Sequence, residues 1–314
     1  MSLPADYLSY PMRRYGMDHD WYRWRSHPAT TSAVWPNGAK VAVWICVSIE
    51  FFPLNPSGKP LRAPGSMVTP YPDLRHYTTR DYGNRVAVHR LLRLFRELGI
   101  TASFAVNSAV AVRYPYLIGE LVSAGHEIIA HGVDMDRLHH EGLGPQEESA
   151  LIDESLTTLE SLSGRRPSGW LSPARLESSR TPALLAARGL SYFCDFANDE
   201  LPYDFMTESG PLIAMPLSHE LSDRQLLIDY HHSDDEYVEQ VLAQYDRLLL
   251  ETDAGGCRAL SLPLTPYITG LPYRIGALRR LLDALRQRPG AWFATGDALL
   301  DAWVACTKEN RRSR

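Results

Sequence analysis

Apolar positions along the chain alternate between two periods, and each change of period marks an element. Residues 40–50, KVAVWICVSIE, are a short β-branched apolar run ending on a carboxylate, which predicts a buried strand. From Val86 the spacing lengthens. Val88, Leu91, Leu92, Leu94, Phe95 and Leu98 predict an amphipathic helix that stops at Gly99. The alternation then repeats. Strands are predicted over 101–106, 127–130, 168–171, 192–195, 212–216, 257–262 and 292–294. Helices fill 115–124, 147–161, 181–188, 237–252 and 275–287, with a last one from Asp297. Strands separated by helices at this spacing pair in parallel through βα crossovers. The expected fold is α/β, a (β/α) barrel of about seven parallel strands, closed or nearly closed.

Two segments lack either period. In the first forty residues Tyr7, Tyr10, Tyr15, Trp21, Tyr22, Trp24 and Trp35 stand among prolines and charges. So many aromatics are costly to leave in water, which predicts an irregular arm lying across a domain or a neighbouring subunit. Residues 53–72 are rich in proline and glycine, a loop long enough to suggest function. No internal repeat is visible, so the expected organisation is an arm over 1–40 and one barrel over 41–314.

Composition narrows the partners. The 314 residues include 32 basic and 37 acidic side chains, a formal charge of -5, with 45% hydrophobic positions. This excludes a disordered chain and gives no footprint for nucleic acid or an anionic membrane. No run of roughly 18 apolar residues is present, so no membrane span is expected. The N-terminal stretch lacks the apolar core of a signal peptide. A cytoplasmic location, a small-molecule substrate and a homo-oligomer joined through the aromatic arm are the expectations. Cys46, Cys194, Cys257 and Cys306 form no CxxC pair, so neither a cysteine zinc site nor a redox pair is expected.

Barrels of this kind place catalytic groups at the C-terminal ends of strands. Glu50 ends the first strand; His131 ends another, with Asp134 and Asp136 just beyond it. Trp170, Asp195, Thr265 and Tyr267 stand at further strand ends. Carboxylates and an imidazole brought together suit hydrolysis, one group taking a proton from water and another protonating the leaving group. The same residues also have plainer roles: Asp134 and Asp136 suit a turn cap, His131 a structural bond, Trp170 a pocket wall. Arg80, Tyr82 and Arg85 precede a helix, where they suit either surface ion pairs or a fork for a carboxylate or imide carbonyl. Of the adjacent His139 and His140 at most one can point into a site.

Several segments together carry a resemblance: RDYGNRVAVHRLL (80–92), GHEIIAHG (125–132), SGRRPSGWLSP (163–173), CDFANDELPY (194–203), LTPYITGLPYRI (264–275) and WFATGDALLDAW (292–303). The chain resembles the polysaccharide deacetylase (NodB-homology) superfamily, and within it the cofactor-independent allantoinases and cyclic imide hydrolases. The resemblance implies a distorted (β/α) barrel, an oligomer, and hydrolysis of a non-peptide C–N bond in a small cyclic amide, imide or ureide. It also implies that the segment around Arg80, Tyr82 and Arg85 borders the substrate. Metal-using members hold a divalent ion through a first-strand aspartate and two histidines four residues apart. Here Ile49-Glu50 replaces the aspartate pair, and Met135 stands where the second histidine is expected. Thr265 and Tyr273 replace two later histidines. A thioether or hydroxyl is a poor ligand for such an ion. The expectation is therefore catalysis without a cofactor. Glu50 would act as general base, His131 and Asp134 would orient substrate or move protons, and Arg80 or Arg85 would hold an anionic or carbonyl group. Two alternatives stay open: a divalent metal such as zinc held by Glu50, His131 and Asp134 or Asp136, and a ligand-binding member that performs no chemistry.

Overall fold

Strand β1 (Val41–Ile49) organises the sheet, because three other strands pair with it. The computed structural model describes residues 19–24, 33–57 and 72–312. After β1 come α1 (Leu74–Tyr82), α2 (Val88–Leu98), β2 (Ser103–Val106), α3 (Ser108–Arg113), α4 (Pro115–Ser123) and β3 (Glu127–Ala130). Next are α5 (Pro145–Ser163), β4 (Gly169–Trp170), α6 (Thr181–Ala187), β5 (Tyr192–Phe193), β6 (Tyr203–Thr207) and β7 (Gly210–Ala214). Last come α7 (Asp234–Glu251), β8 (Arg258–Leu264), α8 (Pro266–Thr269), α9 (Ile275–Gln287), β9 (Ala291–Ala294) and α10 (Gly296–Arg312).

The sheet order is β6-β7-β5-β4-β3-β2-β1-β8, with β9 also beside β1. Strand β8 covers residues 41–47 along one edge of β1. On the other edge β9 takes residues 41–44 and β2 takes 46–49, end to end. Among the described residues only β6 with β7 is antiparallel. The structure is thus the distorted (β/α) barrel expected, curled but open, with a hairpin added. The short alternation of β6, buried at Tyr203 and Phe205, is too brief to read as a strand from sequence. Among the described residues no ladder joins β8 to β6, which leaves a seam. The segment after β7 closes it with bonds involving side chains. The Ser218 amide donates to Ser261 Oγ at 2.8 Å, and the Thr265 amide donates to Asp223 Oδ2 at 2.6 Å.

Strand parity divides the core. Val41, Val43, Ile45, Val47 and Ile49 face outward against the helices, joining Leu91, Phe95 and Leu98 of α2. Burying each such side chain contributes about 1.5–3 kcal/mol. The alternate residues Ala42, Trp44 and Cys46 face the barrel interior with Ala105, Ile129, Leu171 and Cys194. Near the N-terminal ends of the strands this interior is polar. Ser103 Oγ donates to Glu127 Oε2 at 2.5 Å and receives the Trp44 indole N–H at 2.9 Å, while Tyr192 OH donates to Glu127 Oε1 at 2.6 Å. The four cysteines are unpaired, three of them buried.

The described part of the first forty residues lies on this same barrel. Trp21 and Tyr22 pack against Phe205 at ring distances of 5.8 and 5.9 Å, and the Met206 amide donates to Trp21 O at 2.6 Å. Trp35 is buried beside Trp292 and Trp303 and donates to Arg258 O at 2.7 Å. No helix among the described residues is long and apolar enough to cross a membrane. Of the long loop expected over 53–72, residues 58–71 lie outside the described residues.

Candidate active site

Continuing the inward parity of β1 past its last paired residue puts Glu50 at the mouth of the barrel. It is 8% exposed, with its backbone carbonyl held by Asn84 Nδ2 at 2.8 Å. The parity of β3 delivers His131 beside it. Asn107, just past β2, fixes both ends: its amide donates to Ile49 O, its Oδ1 receives the Phe51 amide, and its Nδ2 donates to His131 O. Gly132 follows His131 with φ +63°, and a Cβ there would lie 2.4 Å from Pro173 Cγ. Only glycine allows the chain to turn away so tightly.

A cavity of about 190 Å³ opens over these ends, lined by Ser48, Glu50, His131, Met135, Arg175 and Asp223 among others. His131 is 2% exposed. Its Nδ1 lies 2.7 Å from Leu171 O, a geometry that requires a proton on Nδ1 and leaves a lone pair on Nε2. That Nε2 is buried and has no partner among the described residues. Burial is the main cause lowering the His131 pKa, so the ring is neutral at pH 7.

The seam supplies residues that strand-end reasoning does not reach. Asp223 is fully buried. Its Oδ2 receives Thr265 N and, at 3.1 Å, Thr269 Oγ1, whereas Oδ1 has no partner among the described residues. Burial pushes its pKa to about 7, against the pull of those bonds and of Arg224. Arg224 Nη2 donates to Glu50 Oε2 at 3.2 Å and also contacts Tyr267 OH, which itself donates to Glu50 Oε2 at 2.7 Å. Burial opposes the charge on Arg224, but Tyr267, Glu50 and Asp223 outweigh it and raise its pKa. Arg175 donates to Leu217 O at 2.6 Å and Ser218 O at 3.0 Å, across the end of β4. It follows Ala174, and both residues hold positive φ, 57° and 56°. Backbone strain of this kind is worth about 1–3 kcal/mol per residue and is concentrated at functional sites.

The structure brings together Glu50, His131, Thr265 and Tyr267, and seats Arg80 against Tyr267 with its guanidinium 5.1 Å from the ring centre. Asp195 lies one layer away. Its carboxylate receives the Ser172 amide at 2.9 Å, and burial first of all raises its pKa to about 6. Four other residues point elsewhere. Asp134 is committed to a turn: Oδ1 receives the amides of Asp136 and Arg137, and Oδ2 pairs with the Arg137 guanidinium at 2.8 Å. Tyr82 OH receives Arg90 at 2.7 Å, and Arg85 stands exposed near Asp81. Trp170 lies in the outer core, its indole donating to Ser172 Oγ. His139 is fully buried, 3.5 Å from Glu148 and edge-on to Trp170.

The divalent ion that metal-using members of the resembling superfamily hold does not fit this donor set. His131 is the one imidazole of the expected pair; the thioether of Met135 lines the cavity where the second is expected. Tyr273 is 67% exposed, turned out to solvent. Two guanidinium groups, Arg175 and Arg224, line the cavity and would repel a cation. Among the described residues no three His, Cys, Asp or Glu side chains converge on one point.

Comparison with known proteins agrees with this architecture. Residues 70–193 match the polysaccharide deacetylase family. A Schizosaccharomyces pombe protein assigned to the polysaccharide deacetylases is 25% identical over 299 residues, covering 86% of this chain and 92% of its own. The Helicobacter pylori peptidoglycan deacetylase is 29% identical over 127 residues, 39% of this chain and 41% of its own. Among solved structures, PuuE allantoinase has a TM-score of 0.75 at 24% identity, covering 97% of this chain and 98% of that one. At that identity the likeness is one of fold.

Proposed function

From the membership of this chain in the polysaccharide deacetylase superfamily, we propose that it is a metal-independent hydrolase of a C–N bond in a small cyclic amide, imide or ureide. One observation carries the reading: a neutral, buried His131 whose Nε2 has no partner among the described residues, lining the same small cavity as an Asp223 whose Oδ1 has none among them. Buried polar atoms in folded proteins are nearly always paired, so each exception calls for an explanation, a catalytic role among them. In the proposed reaction His131 Nε2 takes a proton from water as its oxygen attacks the ring carbonyl carbon. The negative charge growing on the carbonyl oxygen is met by the guanidinium of Arg224 or Arg175. Asp223, protonated near neutral pH, passes its proton to the ring nitrogen as the C–N bond breaks. Proton return from His131 to Asp223 closes the cycle. Glu50, whose Oε2 receives both Arg224 and Tyr267, positions the cation rather than taking the first proton. A cavity of about 190 Å³ suits a small ring, and the fold is one that an allantoinase shares.

Chelator-dialysed protein, assayed against hydantoins, imides and ureides, tests the proposal. We expect turnover undiminished by dialysis and a loss of about 10²–10⁴-fold in His131→Asn. Activity that vanishes on dialysis and returns with zinc would overturn it.

A further inference from the structure

Arg80 is 7% exposed, although it is a long cation. Its guanidinium lies over two rings, 5.3 Å from the Phe52 centre and 5.1 Å from that of Tyr267. Nη1 reaches only the carbonyl of His76, at 3.4 Å, among the described residues, and Nε has no partner. A second guanidinium, Arg224, sits 5.7 Å from the same Tyr267 ring and is bonded to Glu50. Two cations, Arg80 buried and Arg224 half-buried, therefore share one ring, and of the two only Arg224 is bonded to Glu50. Asp73 lies nearby at the start of α1, but its Oδ1 receives the His76 amide at 2.9 Å. The consequences show on the neighbours. Burial and then Arg224 act to lower the Arg80 pKa, against Tyr267 and Glu50. Burial, Arg80 and Arg224 hold His76 down to about 4, so this third basic group stays neutral, its Nε2 buried and unpartnered.

Burying a guanidinium without an anion costs several kcal/mol, and a planar carboxylate offsets that cost best, through paired charge-assisted bonds. We infer that the substrate carries a carboxylate, bound by Arg80 with Arg224 beside the Tyr267 ring. This rests on the hydrolase reading above and adds to it the charge of the substrate.

Calorimetric titration of the full chain with hydantoin and with hydantoin-5-acetate, followed by ring-opening assays of both, tests the inference. The carboxylated ring should bind at least about tenfold tighter, the effect of one charge-assisted bond. Arg80→Gln and Arg80→Lys, each checked for native circular dichroism, should shrink that ratio, glutamine more than lysine. Equal affinity of wild type for the two rings, no binding of the carboxylated one, or an unchanged ratio in folded Arg80→Gln would each overturn it. If the carboxylated ring binds preferentially and neither ring opens, the anion site stands and the proposed reaction fails.

Discussion

Asp223 gives the sharpest test of the site, because one substitution should change both rate and stability with predictable sign. Asp223→Asn keeps an oxygen to receive Thr265 N and Thr269 Oγ1 but cannot donate a catalytic proton. General acid catalysis contributes about 10²–10⁴-fold, so kcat/KM should fall by that factor. The pH profile should change shape as well. Wild-type activity rises as His131 loses its proton, below the ordinary value of 6.5, and falls as Asp223 loses its own near about 7. A narrow bell results, and its alkaline limb should vanish in the variant. Stability follows the same group. A carboxyl raised from 3.8 to about 7 on folding contributes stability that is full below 3.8 and lost as pH climbs through about 7. At about 1.4 kcal/mol per tenfold change, the swing is about 4 kcal/mol. Urea melts at pH 5 and pH 8 should therefore show the variant gaining on wild type by about 3 kcal/mol at the higher pH, the part of the swing above pH 5. An alkaline limb retained in Asp223→Asn, with a constant stability gap between the two pH values, would refute this account.

Three further substitutions probe the scaffold. Burial, reinforced by Asp297, raises Glu127 to about 8, so wild-type stability should drop as pH climbs through 8; Glu127→Gln, titrated by thermal melts from pH 6 to 9, should lack that drop. For Glu148, burial is outweighed by the His139 ring 3.5 Å away and by bonds from Thr181 and Ser178, which hold the carboxyl down to about 2. Its contribution is present above 4.5 and lost as pH falls towards 2, so Glu148→Gln should lose about 3 kcal/mol in urea melts at pH 7 and little at pH 2.5. Gly132→Ala combines positive φ with a clash on the Pro173 ring and should cost several kcal/mol, read as a lowered melting temperature together with lost turnover.

Glu50, His131, Thr265 and Tyr267 were legible in the sequence because each ends, or closely follows, an apolar run whose period-two parity points into the barrel. Asp134 sits three residues past His131 and leaves the site because its own side chain caps the turn that carries it away. Arg80 and Arg85 look equivalent in sequence. Between them a π-helical stretch begins, Gly83–Ala87, whose wider turn leaves Arg80 buried and Arg85 at the surface. Arg175 escaped notice because two consecutive non-glycine residues adopt positive φ, which no residue type announces. Asp223 and Arg224 lie in a stretch with no apolar period, and they reach the cavity only through seam bonds between segments about forty residues apart.

The seam also separates what holds the barrel together from what acts within it. The ladder hydrogen bonds of β1 to β5 and β7 to β9 depend on backbone atoms and tolerate any side chain of suitable size. The strip from Leu217 to Arg224 is attached through a handful of side-chain bonds and contributes an acid and a cation to the cavity. Exchanging that strip would alter the proton donor and the charge presented to a ligand while leaving every ladder intact. New substrate preferences can therefore arise on this scaffold by replacing one short segment, with the strand pairing untouched.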